Sequence, residues 1–119
     1  MKLGYTIIYV PNVADSLTFF ESAFGLSRRF LHESGDYGEL ETGDTTLAFA
    51  SHELGNTNFP AGYVAASESS KPLGVEIALV TPSVVEAHAK ALAAGATELK
   101  EPETKPWAMG ASCLLCSLP

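Results

Sequence analysis

The chain has 119 residues, 46% of them apolar, and a formal net charge of −7. Its length fits one compact unit of about 100–150 residues, or two half-modules sharing a core. An acidic chain without a lysine or arginine stripe is not built to grip a nucleic-acid backbone, and no apolar run approaches the roughly 20 residues that span a bilayer.

In chain order, residues 5–10 are rich in β-branched and aromatic types and predict a strand. Asn12 and Asp15 offer N-cap chemistry, and Val13, Leu17, Phe20 and Phe24 recur at helical spacing up to Gly25. Residues 28–33 predict a second strand, residues 37–41 a third and residues 45–51 a fourth, separated by the turn signals Gly35-Asp36 and Gly43-Asp44. Residues 52–73 gather Gly, Asn, Ser and two prolines, with Phe59 and Tyr63 as the large aromatics. They read as a connection that is long for a plain loop.

The layout then repeats. Residues 75–80 predict a strand, Ser83 and Glu86 a capping box, and Val84, Ala87, Ala91 and Ala94 a small-residue helical face running to Gly95. Gly25 and Gly95 are 95 − 25 = 70 residues apart, as are Val10 and Val80. Residues 97–100 predict a strand broken by Pro102 and Pro106, and residues 109–118 one more. The expected order is β-α-β-β-β and then β-α-β-β, with modules at 1–51 and 74–119 joined by 52–73. The N-terminus carries one Lys but no apolar core and no small-residue cleavage pattern, so no signal peptide is expected and the cytoplasm is the expected location. Cys113 and Cys116 imply no disulfide framework. Three apart on a strand, they face opposite sides, and nothing nearby completes a zinc site.

Several stretches carry a resemblance: Tyr9-Val10-Pro11-Asn12-Val13, Ser16-Leu17 with Phe19-Phe20, Ala23-Phe24-Gly25-Leu26, Glu76-Ile77-Ala78-Leu79-Val80, Ala91-Leu92-Ala93-Ala94-Gly95-Ala96, and the run from Pro102 to Trp107. In this order the chain resembles the vicinal oxygen chelate superfamily of glyoxalases, bleomycin-resistance proteins and extradiol dioxygenases. The resemblance implies an α+β fold in which two βαβββ modules form a curved mixed sheet around a cleft. It also implies a homodimer. After Trp107 the chain departs from the family's closing turn and strand, so the second module is expected to lack its last strand. Metal-dependent members hold one divalent ion with four side chains. Here the corresponding positions are Tyr5, Ala48 or Ala50, and Glu76, with no counterpart to the fourth. Such an ion wants three or four N or O donors converging on one point, so neither metal nor cofactor is expected.

Strand alternation places Tyr5, Ile7 and Tyr9 on one face of the first strand, and Glu76, Ala78 and Val80 on one face of the strand at 75–80. A carboxylate in an apolar strand is costly to bury without a partner. Glu76 is therefore a candidate for binding a cation or acting as a general base, or else it is half-exposed or paired with Tyr5 or Arg28. Tyr5 and Tyr9 read as an aromatic wall or as core rim, and Trp107 as a cleft wall or a core anchor. His52, at the end of the fourth strand, reads as a base or ligand, or as a solvated strand end. His32 is expected at the surface, and His88 on the solvent side of its helix. Phosphate-cradling glycine loops and a G-x-S-x-G elbow are absent. The reading is a metal-independent binding protein of the bleomycin-resistance type, leaning away from an enzyme. It would hold a small aromatic or cationic molecule against Tyr5, Ile7, Tyr9, Glu76 and Trp107, with Phe59 and Tyr63 closing over it. The alternative is a glyoxalase-like metal-dependent lyase or isomerase using Glu76 and His52. A third possibility is a folded dimer without ligand.

Overall fold

Residues 1–107, and the backbone of residues 111–116, are described by the computed structural model. Strand β1 (Tyr5–Val10) leads into helix α1 (Val13–Phe24). The Asn12 side chain caps that helix by accepting the Asp15 N–H at 2.9 Å, and Gly25 closes it at φ 69, a left-handed conformation that costs glycine little. Strands β2 (Ser27–Leu31), β3 (Tyr37–Glu41) and β4 (Thr46–Ser51) follow. They form one mixed sheet in the order β1-β4-β3-β2, with β1 parallel to β4 and the other pairs antiparallel. The first half is thus the expected βαβββ unit, though β2 ends at Leu31 rather than at Glu33.

Alternation along the strands assigns each face. Val10, Leu40, Leu47 and Phe49 bury against Val13, Leu17, Phe20 and Ala23 of α1. Phe49, Leu17, Leu40 and Val13 are fully buried, each contributing about 1.5–3 kcal/mol by leaving water. The opposite face presents Tyr5, Ile7 and Tyr9 beside Thr46, Ala48 and Ala50, their register partners on β4.

The connection is more structured than its composition implies. His52–Asn58 form helix α2, capped by the Ser51 side chain, which accepts the Leu54 N–H at 3.1 Å. His52 therefore opens a helix instead of ending β4. A 3-10 turn, Ala66–Glu68, lies against β1.

The second half departs further from expectation. Residues 75–80 make no ladder among the described residues and are exposed along their length. Their alternation is strand-like, but a strand needs a neighbour to take its backbone groups, and among the described residues none pairs with it. Helix α3 (Val84–Ala93) forms, yet Ser83 makes no side-chain cap bond, so the capping box is absent. The Ser83 N–H that Glu86 would have accepted goes to Thr81 Oγ1 at 3.3 Å. Helix α3 packs on α1: Ala91 is fully buried in the first half's core, with Ala94 and Ala96 alongside. Strand β5 (Thr97–Thr104) pairs antiparallel with β6 (Ala111–Cys116) in a separate two-stranded sheet. Pro102 does not break β5, because it falls in the register gap between Lys100 and Glu103, where the ladder needs no donor. Of the last expected strand, residues 109, 110, 117 and 118 lie outside the described residues. The fold is α+β, with the mixed four-stranded βαβββ module as its centre.

Candidate ligand-binding face

The face of the sheet turned away from α1 gathers most of the expected site residues. Tyr5 and Ile7 stand on it, 55% and 44% exposed. Tyr9, at the far end of β1, packs its ring against Phe59 at 5.6 Å and against Tyr63 at 5.3 Å, and those two rings lie 5.6 Å apart. The Tyr9 hydroxyl accepts from Asn58 Nδ2 at 3.0 Å. Helix α2 and the chain that follows it carry this cluster, so the two aromatics of the connection close on Tyr9. Tyr63 is held from below by His52, whose Nδ1 lies 2.6 Å from the phenolic oxygen. Burial, reinforced by the neighbouring Tyr9, pushes the Tyr63 phenol above its usual range.

A polar network that sequence reasoning missed occupies the β2–β3 side of the same face. Arg28 pairs across from Leu40 and Phe30 across from Glu39, so Arg29 is the extra residue of a β-bulge. The two arginines point to opposite sides of the sheet. Arg28 reaches α1, pairing with Glu21 at 3.0 Å and donating to Thr18. Arg29 crosses the open face to Glu41 at 2.6 Å, Glu39 at 2.9 Å and Thr46 Oγ1 at 3.1 Å. The Tyr37 hydroxyl donates to Glu39 at 2.9 Å. Burial, and then that bond to the Glu39 carboxylate, push the Tyr37 phenol up to about 12. The Arg29 guanidinium holds the Glu41 carboxyl below its usual range. Two consecutive arginines were the available signal, since strict alternation sends one of them to each face.

Other candidates stand apart. Glu76 sits in the exposed segment 75–80, and no hydrogen bond or ion pair joins its side chain to Tyr5 or Arg28 among the described residues. Trp107 is 81% exposed, its ring approached by Lys105 Nζ at 5.9 Å from the centroid. His32 is exposed and bonds locally to Ser34. His88 is a correction: it is 93% buried, with Nε2 2.5 Å from Glu98 Oε2 and Nδ1 unpartnered, because α3 turns that side towards β5. A cleft of about 510 Å³ opens beyond the end of the sheet, lined by Asn12, Asp36, Ser51, His52 and Glu53 among others.

The donor set does not suit the divalent ion of metal-dependent relatives. Ala48 and Ala50, on the face of β4 where a donor is required, carry no donor atom in their side chains. Among the described residues, no group of three or more His, Cys, Asp or Glu side chains is placed to hold a metal ion.

With this geometry in place, the relationships of the chain are consistent with it. Residues 2–114 match the glyoxalase/bleomycin resistance protein/dioxygenase superfamily, and the chain belongs to that family. It is similar to a glyoxalase/bleomycin resistance protein/dioxygenase family enzyme from Burkholderia phytofirmans PsJN, at 22% identity and TM-score 0.63, covering 90% of this chain and 84% of that one. A glyoxalase-related enzyme from Fulvimarina pelagi superposes with TM-score 0.72 at 15% identity, covering 89% and 73%. TioX from Micromonospora sp. ML1 gives TM-score 0.62 at 15% identity, covering 99% and 91%. At these identities the likeness is one of fold. No curated protein matches the chain. No described helix is long and apolar enough to cross a membrane.

Proposed function

We propose that the protein is a metal-independent small-molecule binder of the bleomycin-resistance type, working as a cytoplasmic homodimer and taking a planar aromatic, cationic ligand. The observation that supports this most is the cluster of Tyr9, Phe59 and Tyr63 at one end of a face whose other end exposes Tyr5 and Ile7. Aromatic faces attract cations and flat apolar bodies, at roughly 0.5–2 kcal/mol per cation–π contact. The network on the neighbouring strands β2 and β3 carries one guanidinium and two carboxylates, a balance that favours a positive guest over a negative one.

The test is a thermal melt with proflavine, a planar aromatic cation, against benzoate as an anionic control. Proflavine at about 100 times its Kd raises stability by about 2.7 kcal/mol, and Tyr9→Ala abolishes most of that shift. Equal shifts with benzoate, or no shift with any aromatic cation, would refute the reading. His52 is tied to Tyr63 through Nδ1, and no observation favours the metal-dependent lyase over the binder.

A further inference from the structure

We propose that the Tyr37 hydroxyl is a specificity-determining group of the open face, fixed by Glu39 as a hydrogen-bond acceptor that selects aromatic ligands bearing an N–H at their edge. The inference rests on the ligand site proposed above and names the class of ligand that site takes. The Tyr37 hydroxyl lies 2.9 Å from Glu39 Oε1. A carboxylate has no hydrogen to give, so the phenol donates and its proton is committed. Glu39 is buried, and its other oxygen, Oε2, accepts from Arg29 Nη1 at 2.9 Å. Arg29 is fixed in turn by Glu41 Oε1 at 2.6 Å, Glu41 Oε2 at 3.1 Å and Thr46 Oγ1 at 3.1 Å. A guanidinium carries only donors, so Glu39 must accept on that side, and as a carboxylate it must accept from Tyr37 as well.

What remains on the Tyr37 oxygen is lone-pair density. Among the described residues, no group donates a hydrogen bond to it. Tyr37 is half-buried, and its ring packs against Phe30 at 5.9 Å, so the hydroxyl is held by an aromatic contact as well as by Glu39. Its register partner on β4 is Ala50, and the partner of Ala50 on β1 is Tyr9. One row across the sheet therefore joins Tyr37 to the cluster of Tyr9, Phe59 and Tyr63. Two strand spacings, about 10 Å, separate the two tyrosines, a span that a fused aromatic ligand with an edge substituent can reach across.

A planar ligand resting on the Tyr9 cluster and extending along this row meets an oxygen that can accept and cannot donate. An aromatic amine, or a heterocycle with a ring N–H, completes that oxygen. A ketone or carboxylate brings a second acceptor to it, and both go unpaired as water leaves. Glu39→Gln should reverse the choice. Arg29 still requires an acceptor, so the new amide turns its carbonyl to Arg29 and its NH2 to Tyr37. The phenol then accepts from the amide, and its own hydrogen turns to the open face. The same oxygen becomes a donor to the ligand with almost no change of shape. A Glu39 that merely supported the sheet would alter affinity for every ligand alike.

Saturation-transfer NMR titrations of the intact chain read the selection with neutral bicyclic probes, so that charge plays no part. Indole offers an N–H and no oxygen, 1-methylindole lacks the N–H, and 1-indanone offers only an acceptor. Proflavine melts read the ligand site itself. Wild type is expected to bind indole about tenfold more tightly than either other probe. Glu39→Gln should prefer 1-indanone to indole by a similar factor. An indole preference that persists in folded Glu39→Gln overturns the proposal. Should that variant not fold, the wild-type comparison of indole with 1-methylindole decides. If proflavine binds in a Tyr9-dependent way and wild type does not prefer indole, the Tyr37 proposal falls and the ligand site stands. If neither proflavine nor any probe binds, both fall. The expected indole preference without proflavine binding supports the acceptor and removes the cationic reading alone.

Discussion

The phenolic oxygen of Tyr63 lies 2.6 Å from Nδ1 of His52, the residue that opens helix α2. The same ring rests on Gly55: a Cβ added there would meet the Tyr63 hydroxyl at 2.6 Å and the ring edge at 2.8 Å. A helix with glycine at its middle thus serves as the seat for an aromatic wall, and His52 fixes the ring's outer end.

Gly55→Ala therefore sets two effects against each other. Alanine favours the helix by about 0.5–1 kcal/mol, while overpacking costs about 1–3 kcal/mol. The expected net change is a loss of stability in thermal melts. In a Tyr63→Ala background the clash is gone, and the same substitution should become neutral or stabilising. A double-mutant cycle showing additivity would contradict this coupling.

Leu17 is fully buried between the sheet and α1. Leu17→Ala should cost roughly 2–5 kcal/mol. Denaturant melts should show the midpoint falling with little change in slope, because the loss is in packing and not in the extent of surface exposed on unfolding.

Tyr37 is held protonated by burial and by Glu39, its pKa pushed up to about 12. A raised folded pKa contributes stability that is fully present below the unfolded value near 10. That stability is lost as pH rises from there through about 12. Phenolate absorbance should show Tyr37 and Tyr63 titrating late, and Glu39→Gln should bring one of the two earlier. If no tyrosine lags the others, the Tyr37–Glu39 bond is not present in solution.

Glu41 runs in the opposite sense. Its folded pKa is depressed, chiefly by the hydrogen bonds from Arg29. The contribution is present above the usual carboxylate range and fades as pH falls through the lowered value. It is small, since exposed pairs are screened by water and salt. Arg29→Met should flatten the acid limb of a stability–pH curve, and high salt should mimic it in the wild type.

The first half was legible because its signals are local and agree with one another. Asn12 with Asp15 at a helix start, Gly25 at its end, and alternation in β1 and β3 each point to the structure that forms. Helix α2 was hidden by a glycine and two asparagines, which lower helical propensity. Its determinants are the Ser51 cap and the seat beneath Tyr63, and the latter is a contact across several residues. The polar network was hidden because its members come from three strands, Arg29 on β2, Glu39 and Glu41 on β3 and Thr46 on β4, which only the folded sheet brings together. His88 was misplaced because its partner Glu98 lies on the next element. Residues 75–80 carry a strand pattern that forms no ladder among the described residues, since propensity states a preference and the ladder needs a neighbour.

The bulge at Arg29 has one more effect. Because adjacent guanidinium groups grip the helix on one side and the neighbouring strands on the other, β2 cannot slide by a single position without surrendering both anchors at once. That outer margin is locked in register and is a poor starting point for unplanned growth.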